Sequence, residues 1–193
     1  MKPIVKFFGD IILNIWCWWS NYRFKDVERF SREVEPDDKV HTMTEIYYLM
    51  KKLYSCFIWT ADGIDQFGDA VTPPPQNYKT YLNQPLKDDC DGFHSLLYHC
   101  LFNSGYRCYL LTVNTLKTGH CVLLMQDKDL GWYVLDYTKI YKRCETPQKA
   151  IDDYAAAYPK VYKDSRPVVY TGLVSYDYKE GKFYRQEISK VEE

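Results

Sequence analysis

DDCDGFHSLLYHCLFNSGYRCYLLTVNTLKTGHCVLLMQDKDLGWYVLDYT, residues 88–138, is the stretch on which the fold turns. Phe93, Leu96, Leu97, Cys100 and Leu101 recur at helical spacing, so a helix is expected from Cys90 to about Asn103. Asp89 can cap its start, and Gly105 suits the left-handed residue just past its end. Three strands should follow, at Tyr106–Asn114, His120–Gln126 and Trp132–Thr138, joined by turns at Leu116–Gly119 and Asp127–Gly131. A helix followed by consecutive short-turned strands predicts an α+β fold, with that helix packed on an antiparallel sheet.

This stretch also holds the chemistry. A thiol in the first turn of a helix meets unpaired backbone N–H groups and the positive end of the helix dipole, which favour thiolate and can bond a developing oxyanion. Cys90 occupies that position. Gly92 leaves room beside the sulfur for an approaching substrate, while Asp89 and Asp91 oppose a thiolate, so an imidazolium partner is needed. His120 can take the thiol proton and then stabilise the thiolate. Asp136, in WYVLDYT, can hold the second imidazole nitrogen. Side chains on one sheet face share parity within a strand. Strand registers that set 120 opposite 136 or 138 therefore bring His120 and Asp136 to one face, and registers shifted by one residue separate them.

The order Cys90, His120, Asp136, carried by DDCDGFHSLLYHCLFNSGYRCYLL, TGHCVLLM and GWYVLDYT, resembles the transglutaminase-like superfamily of papain-type enzymes over residues 86–140. It is more similar to the bacterial cysteine-proteinase branch than to the animal crosslinking enzymes, which carry a tryptophan beside the cysteine. DCDG at Asp89–Gly92 also looks like the DCSG of the NlpC/P60 cell-wall peptidases. The resemblance implies a papain-like core and a Cys90–His120–Asp136 triad acting on peptide or other amide bonds without a cofactor, in an enzyme or a catalytically silent binding module. It also implies a second oxyanion donor upstream of the cysteine. Gln84 is placed six residues before Cys90, as in papain, with Gln76, Asn83 and Tyr81 as competitors.

Around this core the chain reads as one domain over 1–193, with a helical N-terminal part over 1–58. Thr42 and Glu45 form a capping box for a helix over 42–57 with the stripe Ile46, Leu49, Met50, Leu53 and Phe57. Residues 60–87, with Gly63, Gly68, Pro73, Pro74, Pro75 and Pro85, read as an irregular loop leading into Cys90. Asp62, Asp65 and Asp69 there lack calcium-loop spacing. Thr146 and Pro147 open a helix to about Tyr158, and Pro167–Tyr178 with Lys182–Ile188 close the chain as a hairpin.

Residues 1–34 read as one or two helices. Ile4, Phe7, Phe8, Ile11, Ile12, Ile15, Trp18 and Trp19 make a stripe that packs on its own domain or, given Trp16, Trp18 and Trp19, docks a partner or membrane surface. Asp10 interrupts the apolar run, so it is too short to span a bilayer.

Bulk properties narrow the function further. A net charge of −1 without a basic run disfavours nucleic acid, and 46% hydrophobic with 26% charged residues is a globular composition. The seven cysteines are odd in number and scattered without a CxxC pair, which suits free thiols in a reducing, cytoplasmic compartment. Cys100, Cys108 and Cys121 fall at core positions; His94 is expected to line the site or meet solvent, and His99 to lie on the surface. No metal site is expected, because His120 and Cys121 point to opposite sheet faces and cannot share an ion.

Overall fold

The computed structural model describes residues 3–25, 39–60, 70–162 and 166–191. The expected helical positions 26–34 and the aspartates Asp62, Asp65 and Asp69 lie outside the described residues.

In chain order the elements are α1 (Pro3–Arg23), α2 (Met43–Ser55), β1 (Phe57–Trp59), α3 (Pro74–Asn83), β2 (Leu86–Asp88), α4 (Cys90–Asn103), β3 (Arg107–Asn114), β4 (Gly119–Gln126), β5 (Trp132–Asp136), β6 (Lys139–Ile140), α5 (Pro147–Val161), β7 (Tyr170–Asp177), β8 (Lys182–Gln186) and α6 (Ile188–Val191). The fold is thus mixed helix and strand around an antiparallel sheet of order β6-β5-β4-β3-β7-β8. β1 and β2 form a separate parallel pair, and β2 runs directly into the start of α4.

The sheet is buried on both faces, and the alternation along each strand says which side chain goes where. Leu110, Cys121, Leu123, Met125, Leu135 and Val174 join the larger core with Phe93, Leu96, Leu97 and Leu101 of α4. Leu111, Val113, Val122, Leu124 and Val134 join the smaller core with Ile151, Tyr154 and Tyr158 of α5. The two central hairpin turns lie where the sequence puts them: Thr115 N–H bonds Thr118 O, and Asp127 N–H bonds Gly131 O. Gly105 (φ 87°) and Gly181 (φ 66°) take the left-handed conformation that helix end and hairpin require. The capping box of α2 is present in both directions, Glu45 N–H to Thr42 Oγ1 at 3.2 Å and Thr42 N–H to Glu45 Oε2 at 3.1 Å.

Two expectations need correction. Residues 60–87 are not wholly irregular, because Pro74 and Pro75 occupy the first positions of α3. The first turn of a helix has no use for those N–H groups, so the prolines that read as breakers are starters there. In α1 the buried face is Gly9, Leu13, Cys17 and Ser20 rather than the apolar stripe. Small residues let the helix lie close on β7 and β8: a Cβ on Gly9 would sit 2.1 Å from the Tyr170 ring. Ile4, Phe7, Phe8, Ile11, Ile12, Ile15 and Trp18 are left exposed. Neither α1 nor any other described helix is long and apolar enough to cross a membrane.

Candidate active site

Asp89 opens α4 by accepting the Asp91 N–H at 3.1 Å, which makes Cys90 the first helical residue. Its sulfur is half-buried and accepts the Cys121 N–H at 3.3 Å. The ladder between β4 and β5 reaches no further than Leu123 opposite Leu135, so at Cys121 it is the start of α4 that meets the strand. A backbone donor on a sulfur favours its anionic form, and it acts from a second element besides the helix start.

The β4–β5 register continues to 120 opposite 138, one of the two alignments that set His120 and Asp136 on a common face. Their side chains meet, His120 Nε2 to Asp136 Oδ1 at 3.0 Å, with Asp136 only 2% exposed. Two tyrosines complete the carboxylate. Tyr154 of α5 donates to Asp136 Oδ2 at 3.0 Å, and Tyr162, at the C-cap of α5, donates to the same oxygen at 2.6 Å. The Tyr162 oxygen is also 2.8 Å from His120 Nε2. Burial alone would raise the Asp136 carboxyl; the His120 hydrogen bond and charge, helped by His94 and Tyr162, outweigh it and hold the group below the ordinary carboxylate range. Burial, followed by the Asp136 charge, pushes both tyrosine hydroxyls far above their usual range, so they serve as donors. With Nε2 turned to Asp136, Nδ1 is the His120 nitrogen left to serve Cys90. Both residues line one cavity of about 1070 Å³, together with Tyr137, Tyr158, Tyr162 and part of α1.

His94 neither lines this cavity nor meets solvent. It is fully buried one turn along α4, bonded through Nδ1 to the Cys90 carbonyl at 2.6 Å and through Nε2 to the Tyr137 N–H at 3.1 Å. Because Tyr137 N–H can only donate, Nε2 accepts and Nδ1 carries the proton. Burial is the main reason its pKa is pushed down to about 4, so the ring is neutral at physiological pH. His94 therefore ties the helix start to the end of β5, where Tyr137 turns out of the strand at φ 50°. His99 is likewise buried, against Tyr178 and Tyr78, instead of lying on the surface.

Gly92 serves a different neighbour from the one expected. A Cβ there would fall 2.1 Å from the Asp88 carboxyl, so the glycine admits that side chain rather than a substrate. Gln84 sits at the C-cap of α3, exposed, because the helix begun at Pro74 ends at Asn83. Neither it nor Gln76, Asn83 or Tyr81 is among the described residues lining the cavity. Asp88, Asp89 and Asp91 bring carboxylate oxygens within 4.8 Å of one another. Asp88 bonds the Asp89 N–H and Asp89 the Asp91 N–H, so two of the three are engaged in starting the helix.

The tyrosines had a legible trace: 154, 158 and 162 are four apart and share one helix face. Ending the helix at Tyr158 loses Tyr162, and nothing local says that this face meets Asp136. The Cys121 amide leaves no trace, since every residue carries one. Compared with models of known protein families, with curated proteins and with solved structures, the chain matches none of them.

Proposed function

We propose that this chain is a thiol-dependent acyl-transfer enzyme acting on amide bonds, with a papain-like, transglutaminase-like arrangement of Cys90, His120 and Asp136. The observation that carries the reading is the buried His120–Asp136 bond at 3.0 Å, beside a cavity that His120 shares with Cys90. A histidine oriented by a carboxylate and sharing a cavity with a thiol at a helix start is the combination nucleophilic catalysis requires.

In the first step His120 takes the Cys90 proton and the sulfur attacks the carbonyl carbon. The oxyanion forms beside the Cys90 N–H at the start of α4, and it collapses as the C–N bond breaks and the amine leaves with the proton from His120. Water attacks the resulting thioester, giving up its proton to His120, and thiol and carboxylic acid are released. An amine in place of water gives transfer instead of hydrolysis.

Alkylation with a peptide chloroacetamide near pH 6 tests this reading. An ordinary thiol is almost wholly protonated there. Cys90 should react at least tenfold faster than exposed Cys56, and His120→Ala should abolish the difference. Equal rates at the two cysteines in the wild-type protein overturn it and leave a catalytically silent module.

A further inference from the structure

The cavity beside Cys90 extends well beyond the triad. α1 and α4 lie on the same face of the sheet, since Leu13 and Cys17 share one core with Phe93 and Leu97. At one level of that face Leu13 of α1 lies over Gly172 of β7, Gly172 pairs with Thr112 of β3, Thr112 pairs with Cys121 of β4, and Cys121 N–H bonds the Cys90 sulfur. Two strand spacings, roughly 10 Å, therefore separate the α1 wall from the reacting atom. Val5, Phe8, Ile12, Leu13 and Trp16 line the cavity from α1, spaced three, four, one and three residues apart, so that they follow one side of the helix for roughly 16 Å. Asn114, Thr115, Lys117 and Thr118 line it beside Gly119 and His120, at the level where Gly9 of α1 meets Tyr170.

We infer that this groove holds a long aliphatic acyl chain, and that the amide cleaved at Cys90 joins such a chain to a polar amine. The inference rests on the acyl-transfer reading above. The wall is what singles out the chain. A helix satisfies its own backbone, so α1 offers an extended peptide no partner for its amides. β3 beneath is paired on both sides, by β4 and β7, so no strand can be added there. A peptide laid along this wall would bury unmet N–H and C=O groups, whereas an aliphatic chain has none. Phe8 and Ile12, 56% and 67% exposed, are apolar without a described covering, as residues waiting for an apolar ligand are. The polar lining around Asn114 and Thr118 suits the leaving amine.

Hydrolysis of 4-nitrophenyl acetate, butyrate, octanoate and dodecanoate, each below its micelle concentration, tests this. The intact protein is read by 4-nitrophenolate release and by mass at Cys90. The value of kcat/KM should climb about tenfold for every two methylenes until the wall is filled. Ile12→Asn, at an exposed position that folding does not need, should cut the dodecanoate-to-acetate ratio at least tenfold. A ratio near one, with Cys90 still acylated, overturns the acyl-chain inference and leaves the enzyme. A preference for the 4-nitrophenyl ester of N-acetylphenylalanine over dodecanoate overturns it in favour of a peptide. Failure of every ester to acylate Cys90 overturns the catalytic reading itself.

Discussion

Tyr162 places one hydroxyl between Asp136 and His120, and its worth follows from what each partner loses without it. Tyr162→Phe keeps the ring beside the imidazole but removes the shortest donor to Asp136 Oδ2. Partners that orient metal-bound histidines contribute about 10–100-fold; on the acyl-transfer reading proposed above, amide hydrolysis by this variant should fall by about that factor in kcat, with KM nearly unchanged. A rise in KM with kcat unchanged would show that Tyr162 touches substrate instead. His94 gives a second expectation, this one in stability. The fold needs its neutral ring, and its pKa lies at about 4 against the usual 6.5. As pH drops from 6.5 toward 4 the unfolded chain binds a proton that the folded one rejects. The contribution is therefore complete above pH 6.5 and drains away through that window, by roughly 3 kcal/mol. Denaturant midpoints measured from pH 7 to 4 should fall more steeply for the wild type than for His94→Gln; equal slopes would contradict the assignment. At this scale the position of Cys90 at a helix start and the meeting of His120 with Asp136 were legible, because capping and strand parity constrain them. Gln84, Gly92 and His99 were misread, since their roles depend on where α3, Asp88 and Tyr178 arrive from elsewhere in the chain.

Elements were legible where a local signal is itself the cause. The Thr42–Glu45 box starts α2, Thr146 with Pro147 starts α5, and glycines close α4 and the last hairpin. The prolines before α3 carry two opposite meanings, breaker and first-turn residue, and only the neighbours decide between them. α1 was misread for a different reason. Periodicity identifies the greasy side of a helix, yet contact with the sheet selects the side that can come close, and that side is Gly9, Leu13, Cys17 and Ser20. Gly9→Ala measures how tight this contact is. Helix propensity favours alanine by roughly 1 kcal/mol, but the new methyl meets the Tyr170 ring, which is itself held by the Asp10 carboxylate. Overpacking of this kind costs about 1–3 kcal/mol. The variant should lower Tm in calorimetry, and a rise in Tm would mean that the ring moves aside freely.

For the whole molecule, length and composition pointed to one globular domain, and periodicity with turn signals gave α4 and the succession β3, β4, β5. Strand order was beyond them. β7 comes from the far end of the chain to pair with β3, through contacts such as Leu110 with Val174 that no local pattern encodes. That late arrival has a consequence in time rather than in space. It makes β3 an interior strand, flanked by β4 and β7 and covered by α4 and α5, while β6 and β8 stand at the edges. Amides at Leu110, Leu111, Leu123 and Leu124 should exchange with deuterium only when the entire molecule opens, and those of β6 and β8 through smaller fluctuations. His120 lies at the start of β4, just beyond that doubly paired stretch, whereas the hydroxyl that steadies it hangs from the C-cap of α5. Peptide-level exchange should show protection falling from β4 to the Tyr162 end of that helix, and thermal motion at this site would enter from the tyrosine side.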